Sequence, residues 1–272
     1  MPGIPSLPLN ISWIFLKIIN KYFCYNNVMR LLQLNAWTLR LSTNIVDMID
    51  RESPDIVALQ EVPESDIETG LFLTLSQFME RVRFHHRFFS PVYGFRFMTS
   101  SIEFGNAVIS NLALRDEATV FTNLEYKPNF SLEEDDYNAR NFQHVVTEDE
   151  NGAKFHLINH HGYHVPQHKK GDEFTLKACR QIADYARTLD GPVIISGDFN
   201  LEPGSESLAV FEGTFRNLST EYGLTTTRNN LTHKSEVCDY IFVNDGVVVK
   251  DFYASEVIAS DHQGLVLDFE IA

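Results

Sequence analysis

Cysteine, positive charge and long apolar runs are all scarce in this chain, and each shortage excludes something. The three cysteines among 272 residues, Cys24, Cys179 and Cys238, are odd in number and widely spaced, with no CxxC pair. That argues against a disulfide framework or a structural zinc site. It fits a reducing compartment, so a cytoplasmic location is expected. Lysine and arginine number 22 against 37 acids, a formal net charge of −15, and no basic run breaks the imbalance. Such a field repels a phosphate backbone at long range and disfavours duplex nucleic acid as a partner. A small phosphate ester held through a metal ion is not disfavoured. The apolar patch Ile11–Leu16 is interrupted by Lys17, far short of the roughly 20 residues of a transmembrane helix. No basic stretch precedes it and no small-residue cleavage site follows, as a secretory signal would require. A GxSxG elbow is also missing, and no cysteine sits at a predicted strand-to-helix turn, which disfavours a serine or cysteine hydrolase.

What is present is a chain with 44% hydrophobic and 12% aromatic residues, enough for a substantial core. No short repeat and no Gly/Ser/Pro-rich boundary divides it. The reading is one domain over residues 29–272, preceded by an appendage at 1–28. Strand-like and helix-like segments alternate from Met29 onward. "RLLQLNAW", "DIVALQEV", "GNAVIS", "AKFHLINHH", "GPVIISGDFN", "VCDYIFV" and "GLVLDFEI" read as strands. A helix is predicted over 43–52, with Ser42 or Thr43 as N-cap and Ser53-Pro54 as its stop. A second spans 65–83 through Ile67, Leu71, Leu75, Phe78 and Val82. A third spans 172–189, burying Phe174, Ala178, Ile182 and Leu189. The acidic, turn-rich stretch 125–152 is expected to form exposed hairpins or a rim loop, with Arg140 at the surface.

The strand ends carry the chemistry. Asn35 follows "LLQL", Glu61 follows "IVALQ", histidines fill "NHHGYH", Asp198 and Asn200 follow "VIIS", and Asp261-His262 precede the last strand. Asp239 lies inside "VCDYIFV". Apolar strands that surface in acids, amides and histidines describe a cleft at one sheet edge. Singly, Asp198 could be a helix cap and Asn35 a turn residue, since both types favour those positions. Glu61, Asp198 and Asp261, with amide oxygens from Asn35 or Asn200, would make a hard, oxygen-rich site suited to Mg2+ or Mn2+. His262 and His161 could flank a phosphate there, an outfit sufficient for hydrolysis of a phosphate ester. The His160/His161/His164/His168 loop lacks the acid or cysteine spacing of a zinc site. Cys238 reads as a small buried hydrophobe.

Seven blocks, "LLQLNAW", "PDIVALQEV", "GNAVIS", "LINHH", "VIISGDFN", "CDYIFV" and "ASDHQGLVL", run in order from about residue 30 to 270. Together they resemble the endonuclease/exonuclease/phosphatase superfamily, which includes deoxyribonuclease I, abasic-site endonucleases, neutral sphingomyelinases and inositol polyphosphate 5-phosphatases. The resemblance implies an α/β fold, a four-layer α/β/β/α sandwich of two sheets flanked by helices. It implies a divalent metal, Mg2+ or Mn2+, held mainly by Glu61 with Asn35 and Asp261 nearby. Asp198 and Asn200 would then lie under the scissile phosphate, placed on one face by strand alternation. The aspartate would activate or align water, and the asparagine would hold phosphate or metal. His262, oriented by Asp239, would stabilise the phosphorane or act as general base, and His161 is preferred over His160 as the further site histidine. The expected activity is metal-dependent hydrolysis of a phosphodiester or phosphomonoester, with a small or lipid-like ester favoured over duplex DNA. The alternatives are a nuclease of the same superfamily and a silent binding protein. The second is disfavoured because none of these ligand residues has been lost.

Overall fold

Met29–Asn35 forms strand β1 because both of its faces find apolar cover: Leu31 packs toward a second sheet, while Leu32 and Leu34 pack toward helices. The same two-sided burial explains the continuous apolar runs at Ile56–Ser65 (β2) and Val193–Asp198 (β8). The computed structural model describes residues 28–66, 72–97, 100–131 and 133–272, so the expected appendage lies outside the described residues except for Val28.

Two mixed six-stranded sheets result. The first runs Val247–Ala254 (β11), Leu265–Ile271 (β12), β1, β2, Ser100–Ser110 (β4) and His86–Phe97 (β3). The second runs Arg115–Asn123 (β5), Arg140–Glu148 (β6), Lys154–His161 (β7), β8, Asp239–Val243 (β10) and Arg216–Asn217 (β9). Each sheet has one parallel pair: β1 with β2, Leu31 opposite Ile56, and β7 with β8, His156 opposite Val193. A parallel pair needs a crossover. Helices α1 (Ser42–Glu52) and α3 (Glu173–Arg187) provide the two.

Three apolar clusters fill the layers. Leu31, Ile56, Ala58 and Val108 of the first sheet meet Val145, Phe155, Leu157 and Ile241 of the second. Ile45, Met48 and Ile49 of α1 and Phe78 of α2 (Leu75–Met79) pack on the outer face of the first sheet. Ile182, Ala183 and Ala186 of α3 pack on the outer face of the second, against Phe142, Ile158 and Ile195. This is the expected four-layer arrangement. Burying a side chain such as Met48 or Ile182 stabilises it by about 1.5–3 kcal/mol.

A polar seam crosses the otherwise apolar space between the sheets. Gln33 Nε2 donates to Gln60 Oε1 at 2.9 Å and to Asp239 Oδ1 at 3.2 Å. Gln60 Nε2 donates to Asn159 Oδ1 at 2.6 Å, and Asn159 Nδ2 donates to Gln143 Oε1 at 2.9 Å.

Several local expectations need correction. The N-cap of α1 is Leu41, with no side-chain cap, and Ser42 is already helical, while the stop falls at Ser53 as expected, in a left-handed conformation. The predicted helix over 65–83 shrinks to Leu75–Met79, and Ser65 belongs to β2. Its start is fixed by Thr74, whose Oγ1 accepts from the Gln77 N–H while Gln77 Oε1 accepts from the Thr74 N–H. Ile67 and Leu71 lie outside the described residues. Phe174 is 43% exposed rather than buried, and it stacks on Tyr163 with ring centroids 5.1 Å apart. The stretch 125–152 is not all rim: β6 is an interior strand, buried along nearly its whole length. Its acidic flanks and the amides Asn141 and Gln143 masked that character. Among the described residues, no helix is long and apolar enough to cross a membrane.

Candidate active site

The carboxyl ends of β1, β7 and β8, the middle of β2 and the start of β10 converge on one edge of the sandwich. Asn35 lies opposite Gln60 there, and Asp198 lies opposite both His161 and Asp239. Glu61 owes its position to a bulge. The β2–β4 register shifts between Leu59 and Val62, and Glu61 takes a φ of +56°. Gln60 can then stay buried in the seam while Glu61 turns toward the cleft, which is what an extra residue in a strand achieves. Alternation does not bring Asp198 and Asn200 together, contrary to the sequence reading. The strand ends at Asp198, Asn200 has a φ of +56°, and its N–H donates to Asp198 Oδ1 at 2.9 Å. A turn closed by the aspartate aims both side chains into one cleft.

Asp198 Oδ2 is the hub. Asn35 Nδ2 donates to it at 3.1 Å and to Glu61 Oε1 at 3.1 Å. His161 Nε2 stands 3.8 Å from both of those oxygens, and His262 Nε2 is 3.6 Å from Asp198 Oδ2. Burial alone would raise the Asp198 pKa, but the facing cations, His262 foremost, hold it well below the usual carboxylate range. Glu61 goes the other way, pushed up by desolvation against the pull of its Asn35 hydrogen bond. Burial drives His161 well below the ordinary imidazole value. His160 points away from the cleft and packs edge-on against Phe199. Asn35 Oδ1 accepts from the Trp37 N–H at 3.1 Å, so it is the amide NH2 that faces the two acids.

His262 Nδ1 lies 2.8 Å from Asp239 Oδ2. Asp239 is fixed in turn by Thr227 Oγ1, which donates to Oδ2 at 2.6 Å, and by Gln33. Burial would lower the His262 pKa, yet Asp239 and Asp198 outweigh it and hold the value well above the ordinary one. The sequence neighbour Asp261 pairs with Arg228 Nη1 at 3.2 Å, and the same nitrogen touches His262 Nε2.

Sequence reasoning missed four cations. Arg140, Arg228 and Lys234 line the cleft, and Lys169 sits behind Asn200, donating to its Oδ1 at 2.5 Å. Arg140 is a correction: it is 6% exposed, not a surface arginine. Its Nε donates to the Gly162 carbonyl at 2.7 Å and its Nη1 to the Tyr137 and Ala139 carbonyls at 2.8 and 2.9 Å. No local spacing announces the three buried ones, because each bonds to a residue far along the chain, Arg140 to Gly162, Lys169 to Asn200 and Arg228 to His262. Trp37, Tyr93, Phe104 and Tyr137 complete the wall of a cleft of about 370 Å3.

The donor set fits a hard divalent cation. Glu61 Oε1 and Asp198 Oδ2 share a single amide nitrogen and face the cleft with oxygen atoms, the ligand type of Mg2+ or Mn2+. Among the described residues, one buried group, Asp198, Cys238, Asp239 and His262, has ligand atoms all within 4.8 Å of one another.

Two mixed sheets between helices, with acids, amides and imidazoles gathered at one edge, define an α/β sandwich of hydrolase type. The model of the endonuclease/exonuclease/phosphatase family matches residues 32–262, and the chain belongs to that family, whose members are phosphoesterases. Three solved structures illustrate the shared fold. The endonuclease/exonuclease/phosphatase of Bacteroides vulgatus is 17% identical, with 90% of this chain and 99% of that one covered, at a TM-score of 0.66. A mannosyl-6-phosphatase of Bacteroides thetaiotaomicron is 16% identical over 89% and 99% of the two chains, at 0.64. The human Nocturnin catalytic domain with bound sulfate is 19% identical over 90% and 94%, at 0.65. A comparison with curated proteins found no match.

Proposed function

We propose that this cleft hydrolyses a small phosphate ester with the help of Mg2+ or Mn2+. The observation that carries the reading is the environment of Asp198 Oδ2, which has an amide donor on one side and two imidazole Nε2 atoms on the others. A carboxylate held ionised is an acceptor for a water proton, and so a means of aligning a nucleophile. Glu61, Asp198 and Asp261 would hold the metal, with Asn35 bracing them, and the bound ion would supply charge neutralisation at the phosphoryl oxygens. Asn200 offers its NH2 to a phosphate oxygen, because an ammonium can only donate and Lys169 already occupies the amide oxygen. His262, steadied by Asp239 as a catalytic imidazole is by its carboxylate, presents Nε2 toward the same place. A cleft of about 370 Å3 is of small-molecule size, and the net charge of −15 favours a small ester over a duplex.

The test is hydrolysis of bis-p-nitrophenyl phosphate, p-nitrophenyl phosphate and an abasic-site duplex in Mg2+, Mn2+ or EDTA. Turnover of an ester that needs metal and disappears in Asp198→Ala supports the reading. Turnover of the duplex alone replaces the small ester with nucleic acid. No turnover of any substrate, with no Mn2+ bound in calorimetry, overturns the reading in favour of a silent binding protein.

A further inference from the structure

Two buried guanidiniums in the cleft are partnered in part among the described residues, Arg140 by neutral groups and Arg228 by the carboxylate of Asp261. Arg140 is held by three neutral backbone carbonyls, and among the described residues no carboxylate bonds to it. Arg228 is 5% exposed and pairs through Nη1 with Asp261, the same nitrogen touching His262 Nε2, while among the described residues its buried Nε has no partner. A buried charge is costly unless it is paired and its N–H groups are satisfied. Two such groups lining one cleft are matched to an anion that enters it. The lining has three acids, Glu61, Asp198 and Asp261, against three cations, Arg140, Arg228 and Lys234. Even before the three histidines of the lining are counted it is not acidic, within a chain whose overall charge is −15.

We infer that Arg228, with Arg140 across the cleft lining, clamps the non-reacting oxygens of a terminal phosphate, so that the substrate is a phosphate monoester rather than a diester. This rests on the phosphoesterase reading of the same cleft. A terminal phosphate carries about −1.5 to −2 charges at neutral pH and three strong acceptor oxygens. A diester keeps one charge and two free oxygens, and so offers the two guanidiniums less charge and one acceptor oxygen fewer. Arginine suits the task because its planar fork of donors matches phosphate. In the transition state of phosphoryl transfer, charge spreads over those same equatorial oxygens. Arg228 is thus assigned a part in substrate choice as well as in binding.

Calorimetry on the full chain in Mn2+ tests this, with inorganic phosphate as the monoester-like probe and dimethyl phosphate as the diester-like probe. The wild type should bind phosphate at least about tenfold more tightly than dimethyl phosphate, the span of one charge-assisted hydrogen bond. Arg228→Gln should weaken phosphate by about tenfold or more while moving dimethyl phosphate less than about threefold. Arg228→Lys should fall between, because the charge remains and the fork is lost. Equal binding of the two probes by the wild type overturns the inference without recourse to any variant, so a variant that fails to fold does not protect it. Phosphate affinity indifferent to Arg228→Gln also overturns it. Phosphate binding that depends on Arg228 without hydrolysis of any ester would support the clamp and sink the proposed activity. Brisk diester hydrolysis with phosphate affinity indifferent to Arg228 would do the reverse.

Discussion

Lys169 Nζ donates to Asn200 Oδ1 at 2.5 Å, and that bond decides which end of the amide the cleft meets. Lys169 is only 8% exposed, and burial lowers its pKa against the pull of Asp198. Lys169→Met keeps the stem and removes the ammonium, leaving Asn200 Oδ1 without its donor and the amide held through Nδ2 by the longer bond to the Gly162 carbonyl, at 3.3 Å. An unsatisfied buried acceptor costs about 1–3 kcal/mol. Steady-state kinetics should therefore show kcat on p-nitrophenyl phosphate reduced about tenfold or more. The melting temperature should move by only a few degrees, on the order of 1 kcal/mol of stability, because a costly buried charge leaves with the bond.

The Asp239–His262 pair predicts a larger kinetic effect and a particular pH dependence. Asp239→Asn removes the charge that orients the ring, and kcat should fall by about 1,000- to 10,000-fold, as with other orienting carboxylates. His262 is held above its ordinary value in the folded state. Its contribution to stability is therefore complete below the unfolded value of about 6.5 and is lost as the pH rises through the higher folded one. Melting curves of the metal-free wild type from about pH 6 to about pH 10 should decline along that window. Asp239→Asn should show a shallower decline; an identical slope in both proteins would remove His262 as the cause.

Glu61 sits on a bulge that aims it at the cleft, which makes it the residue to change when asking about the metal. Mn2+ at about one hundred times its dissociation constant should stabilise the folded wild type by about 2.7 kcal/mol through binding alone. EDTA should abolish both that shift and turnover. Glu61→Gln should raise the Mn2+ dissociation constant by about tenfold or more, read by calorimetry. At the same Mn2+ concentration about half of the thermal shift should then disappear for a tenfold change, and more for a larger one.

Gly162 holds two site residues by one carbonyl, which accepts from Arg140 Nε at 2.7 Å and from Asn200 Nδ2 at 3.3 Å. A Cβ there would stand 2.3 Å from the Phe199 carbonyl oxygen, and backbone cannot give way cheaply. Gly162→Ala should destabilise by about 3 kcal/mol or more in denaturant titration. Residual activity should fall further than the unfolded fraction explains.

How much of this was legible in the sequence depended on how local the cause was. The strand cores and their polar ends could be read because burial on both faces leaves continuous apolar runs, and Asn35, Glu61, Asp198 and His262 each follow or precede one. The bulge at Glu61 could not, since nothing in "LQEV" marks the extra residue. Nor could the turn at Asn200, because alternation predicts the same shared face for a different reason. Arg140, Lys169 and Arg228 were opaque for a third reason. Each has a partner 22 to 34 residues away, Gly162, Asn200 or His262, and a lone basic residue at a strand start or in a loop looks like any solvated one.

The amide seam between the sheets ends on Asp239, and so on the carboxylate that steadies His262. The two halves of the sandwich therefore cannot slip past one another without disturbing the reaction centre. Side-chain amides have no tolerance for a shifted neighbour of the kind that methyl groups allow. A shift of one half against the other would break a bond on the way to Asp239 and loosen the carboxylate that steadies His262.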